Sequence, residues 1–214
     1  PWIKIDPKQG KQGTVLFYFE HGAKVGDGAY LDPVIERGEV WLKTAGDEKA
    51  KPIKLEEVKE EKLRWLQAEL PAPAPRGVDL YTKWGVYRYG QTDTLLHYYA
   101  RNIDAKKPDD IAKLAESDNL KFQLQPQLSG DELTIRVTWD GKPLAGQEIN
   151  FSGPTVRRTF KTNDDGVATM PIDRAGQYTL RSKVVKKESG EFAGKAFAEI
   201  HHHATLLMQL RPAK

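Results

Sequence analysis

Between residues 131 and 139 the chain alternates: Leu133, Ile135, Val137 and Trp139 are apolar, while Thr134, Arg136 and Thr138 between them are polar. A strand, whose successive side chains point to opposite faces, turns that pattern into one buried and one solvated side. Turn chemistry follows at Asp140-Gly141-Lys142-Pro143, and 147–151 alternates again with Ile149 and Phe151 on one face. Asn163-Asp164-Asp165-Gly166 tolerates the positive φ of a tight reversal and predicts a hairpin between strands at 156–162 and 167–172. Ala175-Gly176 opens a strand at 177–185, and polar residues 186–190 lead into a long last strand at 195–210. About five to seven short strands in about a hundred residues describe a β-sandwich.

The amino-terminal half is also strand-like. Segments 13–19, 39–44, 78–89 and 94–101 are rich in β-branched and aromatic residues. Segment 51–70 fits a helical face through Leu55, Val58, Lys62 and Trp65, and fits alternation through Leu63 and Trp65. The β character on both sides favours a strand pair. Pro71-Ala72-Pro73-Ala74-Pro75 cannot pair in a ladder and reads as an extended loop. Residues 104–118 are polar, carry Pro108 and offer at most one short helix over 109–115, which makes about 104–120 the expected linker. The prediction is an all-β chain of two β-sandwich domains, an N-terminal one over 1–117 and a second over 118–214.

Composition narrows the chemistry. The 214 residues are 39% hydrophobic and 29% charged, enough for one large core or two small ones, and no apolar run is long enough to span a membrane. The absence of cysteine excludes disulfides, thiolate metal sites, Fe–S clusters and cysteine nucleophiles. Thirty-three Lys and Arg are interleaved with thirty Asp and Glu, so the net charge of +3 forms no block suited to nucleic acid. The chain opens at Pro1 without an initiator Met, as a processed exported protein or a trimmed chain does.

His21, His97, His201, His202 and His203 are the candidate ligands. On the last strand, His202 shares a face with Ala196, Ala198, Ile200, Ala204, Leu206, Met208 and Leu210, whereas His201 and His203 share the mostly polar face of Glu199, Thr205 and Gln209. Two residues apart, His201 and His203 sit about 7 Å from each other at the backbone, from where two imidazoles can converge on one ion if a third ligand arrives from elsewhere. The plainer reading is a solvated basic face on an edge strand. His202 and His97, the latter within Leu95-Leu96-His97-Tyr98-Tyr99, need hydrogen-bond partners on apolar faces and read as packed core histidines unless the two domains bring them together. His21 follows Glu20 and precedes Gly22, a loop position able to reach a rim.

Catalytic constellations are missing from the sequence. There is no G-x-S-x-G elbow, H-E-x-x-H helix or G-x-x-x-x-G-K-[ST] loop, and Gly26-Asp27-Gly28 has no following helix to cradle phosphate. Glu56-Glu57 and Glu60-Glu61 alternate with lysines as on a solvated face. The expectation is a protein that is not an enzyme. Trp2, Trp41, Trp65, Trp84 and Trp139 either pack in the core, the commoner role at strand spacing, or line a sugar-binding platform.

Two resemblances add to this. Residues 131–182, through Asp140-Gly141-Lys142-Pro143-Leu144-Ala145-Gly146, Thr162-Asn163-Asp164-Asp165-Gly166 and Ala175-Gly176-Gln177-Tyr178-Thr179-Leu180, resemble the punctuation of Ig-like or transthyretin-like sandwich modules. Trp84-Gly85-Val86-Tyr87, Leu95-Leu96-His97-Tyr98-Tyr99-Ala100 and His202-His203-Ala204-Thr205-Leu206 resemble an exported bacterial family of uncharacterised proteins, some associated with nickel or cobalt uptake. The resemblance makes His202 the family histidine and puts His203 where a tyrosine is usual. It implies an exported, non-catalytic protein, periplasmic or extracellular, that binds a divalent transition metal (nickel, copper or zinc); the match points to His202 and His97 as ligands, whereas strand geometry points to His201 and His203. Such a protein would serve as carrier or accessory to a membrane uptake transporter. The competing expectation is a structural or adhesion module of the cell envelope that contacts glycans.

Overall fold

The structure, a computed structural model, describes residues 1–212. The first half runs β1 (Trp2–Asp6), β2 (Thr14–Tyr18), α1 (Asp32–Arg37), β3 (Glu39–Thr44), β4 (Lys51–Pro52), β5 (Glu56–Glu60), β6 (Leu63–Glu69), β7 (Arg76–Tyr89) and β8 (Thr92–Asp104). After α2 (Pro108–Leu114) come β9 (Phe122–Ser129), β10 (Glu132–Trp139), β11 (Lys142–Pro143), β12 (Glu148–Ser152), β13 (Arg157–Lys161), β14 (Val167–Pro171), β15 (Gly176–Lys186), β16 (Gly190–Phe192), β17 (Lys195–Phe197) and β18 (Glu199–Leu210). The all-β sandwich expected from the alternation is what forms. Residues 51–70 hold the expected strand pair, with β5 antiparallel to β6.

A large sheet in the order β13-β12-β15-β18-β8-β7-β3-β4 is the spine of the molecule. Its neighbours are antiparallel except β18 and β8, which pair in parallel with His202 opposite His97. That pairing joins the two halves, so the sheet passes from one into the other without a break. A second sheet, β1-β2-β6-β5, serves the first half, and β9, β10, β11 and β14 form a third.

Alternation along the central strands feeds two cores on opposite faces of the large sheet. Tyr99, Ile103, Leu206 and Met208 pack with Phe122, Leu133, Ile135 and Val137. The intervening Ala100, with Val78 and Leu80 of β7, packs instead with Ile3, Val15, Phe17 and Val34. Each fully buried side chain of this size contributes about 1.5–3 kcal/mol.

The stretch expected to be a linker connects β8 to β9 through α2, whose Ile111 and Leu114 are buried in the first of these cores. Arg101 of β8 holds it in place. The guanidinium donates to Asp79 at 2.6 Å, to the carbonyl of Ala115 at 2.5 Å and to that of Leu114 at 2.9 Å.

Three expectations need correction. The reversal at Asn163 to Gly166 forms, with Asn163 Oδ1 accepting from the amides of Asp165 and Val167, yet its flanking strands do not pair. β13 pairs with β12 in the large sheet and β14 with β10 in the third, so the turn is an arch between layers. Turn chemistry specifies a reversal of direction and leaves the partner open. The last strand is interrupted at Ala198: β17 pairs with β16, and β18 starts at Glu199. Finally, β18 is no edge strand, since it lies between β15 and β8, and the face of His203 and Thr205 is covered, with Thr205 and Leu207 buried.

Candidate functional site

Gly85 interrupts the alternation of β7. The register shifts between Lys83, opposite His97, and Gly85, opposite Leu96, which is a β-bulge centred on Trp84. Gly85 has φ +133°, open to glycine and strained for other residues. One extra residue reverses the parity of everything after it. Before the bulge, Tyr81 shares the face of Tyr99, opposite which it lies; after it, Tyr87 and Tyr89 join Trp84 on the other face, with Tyr98. Arg37 at the end of α1 secures the distortion by donating to the carbonyls of Lys83 at 3.2 Å and Trp84 at 2.8 Å.

Over that face lies a cavity of about 400 Å³, walled by Phe19, Tyr30, Trp84, Tyr87, Tyr89 and Tyr98 and, on the β15–β18 side, by Arg181 and His203. The aromatic rings brace one another. Tyr30 stands edge-on to Trp84 at 6.2 Å and to Tyr87 at 6.2 Å, and Phe19 edge-on to Tyr98 at 4.9 Å. Trp84 Nε1 donates to the carbonyl of Tyr30 at 2.9 Å, tying the loop before α1 to the bulge. Burial pushes the Tyr98 and Tyr89 hydroxyls above the ordinary tyrosine value, so both stay protonated at neutral pH. Arg181 is exposed at the cavity, its guanidinium 4.5 Å over the Trp2 ring and donating to the carbonyl of His21. It has no carboxylate partner among the described residues.

His203 stacks on Tyr98 with ring centroids 5.1 Å apart, and its Nε2 is buried with no hydrogen-bond partner among the described residues. Burial, then the neighbouring His201, lowers its pKa to about 3, so the ring is neutral and able to coordinate. The His201 ring lies 6.0 Å from it and stacks on Tyr89 at 5.9 Å. His201 Nε2 bonds Glu199 at 2.7 Å, the carboxylate-to-imidazole contact that fixes the orientation of a histidine. Two rings at this separation are within reach of a single ion held about 2.0–2.1 Å from each nitrogen.

His97 and His202 lie on the opposite face of the same strands. Their rings are 4.7 Å apart, His97 Nδ1 shares a hydrogen bond with the Tyr81 hydroxyl at 2.9 Å, and His202 Nδ1 one with Tyr99 at 3.1 Å. Trp139 meets His202 edge-on at 4.5 Å. Burial lowers His97 to about 4 and His202 to about 3, with the charges of Lys83, Lys121 and Lys186 pushing His97 the same way.

The strand parity read from the sequence is therefore what the structure has, and it divides the four candidate histidines into two pairs separated by the sheet. His21 lines the cavity as a loop residue, in keeping with its expected reach to a rim. Among the described residues no group of three or more His, Asp or Glu is placed to hold a metal ion. Sequence reasoning missed Tyr30, Tyr87 and Tyr89, and left Trp84 among five equivalent tryptophans. The available sign was Gly85 inside a strand pattern, which marks a bulge and with it a change of face.

Residues 8–186 match the sequence model of a family described as "Domain of unknown function (DUF4198)". No curated protein matches the chain. Among solved structures, a pullulanase from Anoxybacillus sp. LM18-11 complexed with maltotriose is 14% identical at TM-score 0.21, the match covering 79% of this chain and 22% of the pullulanase. The FN1–FN3 domains of chicken CNTN1 are 14% identical at TM-score 0.22, over 99% of this chain and 67% of theirs. A 1.5-MDa bacterial ice-binding adhesin is 13% identical at TM-score 0.25, over 98% of this chain and 64% of the adhesin chain.

Proposed function

The chain belongs to the DUF4198 family, and from that premise we propose that it is an exported, non-catalytic protein that binds a late first-row divalent cation, nickel, copper or zinc, at His203 and His201. Its role is that of a carrier or accessory to a membrane uptake transporter. The observation that carries this reading is the buried, neutral and unpartnered Nε2 of His203 beside a second imidazole already oriented by Glu199. A buried polar atom without a partner costs free energy, on the order of 1–3 kcal/mol, and a ligand that coordinates it recovers that cost. Imidazole suits all three ions, and a chain without thiolates offers nothing to narrow the choice. Metal analysis of protein purified without an affinity tag, followed by calorimetric titration with each ion, tests the proposal: about one ion per chain supports it, and no uptake of any of the three removes it.

The aromatic wall favours a second reading, an envelope module that contacts glycans. Sugars pack on tyrosine and tryptophan faces, and Tyr30 and Tyr89 are exposed at 47% and 45%. Binding on a glycan array that is lost in Trp84→Ala and unaffected by chelators would favour this reading over the first. Among the described residues no helix is long and apolar enough to cross a membrane.

A further inference from the structure

Two imidazoles cannot complete the coordination of a divalent cation, and among the described residues no group of three or more His, Asp or Glu is placed to complete it. The space beside them is also larger than a bare ion needs. At about 400 Å³ the cavity lies in the range of small-molecule sites, roughly 300–1,000 Å³. Water would also be poorly served by walls of Phe19, Tyr30, Trp84 and Tyr87, which offer ring faces and edges suited to a flat or apolar organic group. At the same cavity stands Arg181, a guanidinium with no carboxylate partner among the described residues. Its fork of donors matches a carboxylate.

We propose that the cavity takes its cation as a complex with a small carboxylate-bearing organic chelator, with His203 and His201 filling positions the chelator leaves open, Arg181 pairing with its carboxylate, and the aromatic wall packing on its body. This deepens the metal-binding reading above and rests on it. Each part of such a ligand meets the chemistry it needs: the ion meets imidazoles, the apolar body meets rings, and the outer carboxylate oxygen meets the Arg181 guanidinium. No covalent change is involved, only exchange of water for imidazole on the ion.

The test is calorimetric titration of the full chain, purified without a tag, with Ni²⁺ alone, with Ni²⁺ and one equivalent of pyridine-2-carboxylate, with Ni²⁺ and one equivalent of ethylenediamine, and with pyridine-2-carboxylate alone. The carboxylate complex binds tighter than Ni²⁺ alone by about tenfold or more, the scale of a charge-assisted hydrogen-bond pair. Ethylenediamine, which has neither carboxylate nor ring, brings no such gain, and pyridine-2-carboxylate without nickel does not bind. In Arg181→Met the ratio of the two affinities, with and without the carboxylate, falls to about one, and Arg181→Lys restores part of the gain; circular dichroism checks that both variants fold. Equal affinity with and without the carboxylate, an equal gain from ethylenediamine, binding of the chelator without metal, or a gain that survives in Arg181→Met would each overturn the inference while leaving ion binding itself in place. Absence of nickel binding in every form would overturn both.

Discussion

The ring of His97 lies 4.7 Å from that of His202 across the parallel β8–β18 pair, each held at Nδ1 by a tyrosine hydroxyl from the same sheet, Tyr81 and Tyr99. This contact is the seam between the two halves of the chain. It is made of imidazoles that burial keeps neutral, and the cations Lys83, Lys121 and Lys186 push His97 the same way.

A pH dependence of stability follows. The folded pKa of His97 is lowered from 6.5 to about 4, chiefly by burial. Above 6.5 both folded and unfolded chains carry it neutral. As pH falls toward 4 the unfolded chain takes up a proton that the folded chain refuses, so stability drops across that window. In urea unfolding, His97→Phe is expected to be less stable than the parent at pH 7, by about 0.5–1.5 kcal/mol for the lost Tyr81 bond, and to lose less than the parent between pH 7 and pH 4.5. Parallel losses in the two proteins would show that His97 titrates normally.

Asp79 and Arg101 form the most deeply buried ion pair among the described residues, with side chains 7% and 4% exposed. Because the same guanidinium holds the carbonyls of Leu114 and Ala115, Asp79→Ala strands a buried cation and also loosens α2. The expected cost is about 3–5 kcal/mol, with Asp79→Asn closer to the parent because it still accepts a hydrogen bond. Limited proteolysis reads the second effect. The parent should resist cutting between Asp104 and Asp118, and Asp79→Ala should be cut there; a parent cleaved readily in that stretch would favour two separable domains joined by a linker.

The strands were legible because alternation is a local property: residues 39–44, 51–70 and 131–139 could be placed without knowing their partners. Pairing was not legible for the same reason. Nothing in the 163–166 turn records that β13 and β14 leave for different sheets, and nothing in 94–101 or 199–210 records that they lie parallel, since parity fixes the face of a side chain and not its neighbour. Parity did separate His201 and His203 from His202. It could not show that the histidine face is covered, which depends on β1 and Phe19, far away in sequence. The cavity escaped because Trp84, Tyr87 and Tyr89 share a face only through the bulge at Gly85.

Gly85 therefore offers a direct handle on the cavity. Its φ of +133° disfavours any side chain, while a Cβ there would meet nothing closer than Arg37 Nη2 at 3.9 Å, so the cost of Gly85→Ala is conformational and of order 1–3 kcal/mol. If the chain relieves that strain by losing the bulge, Tyr87 and Tyr89 move to the other face and the aromatic wall comes apart. Tryptophan fluorescence and ligand affinity should then both change in Gly85→Ala. A variant that is less stable but retains parental affinity would show that the bulge survives.

The histidine strand supplies the sharpest test of where an ion binds. His203 and His201 share the cavity face, with rings 6.0 Å apart, whereas His202 is 6% exposed on the other face between Trp139 and His97. His203→Ala should remove most of the affinity for nickel and His201→Ala weaken it, both at little cost in stability, since His203 has no hydrogen bond to lose at Nε2. His202→Ala should behave in the opposite way, lowering stability by roughly 2 kcal/mol through the lost Tyr99 bond and ring contacts while binding persists. Calorimetry and urea unfolding on these three variants and on His97→Ala separate the cases. Loss of binding in His202→Ala and His97→Ala alone would move the site to the other face of the sheet, as the family resemblance at His202 suggests. Unchanged binding in all four would take the ion away from the histidines altogether.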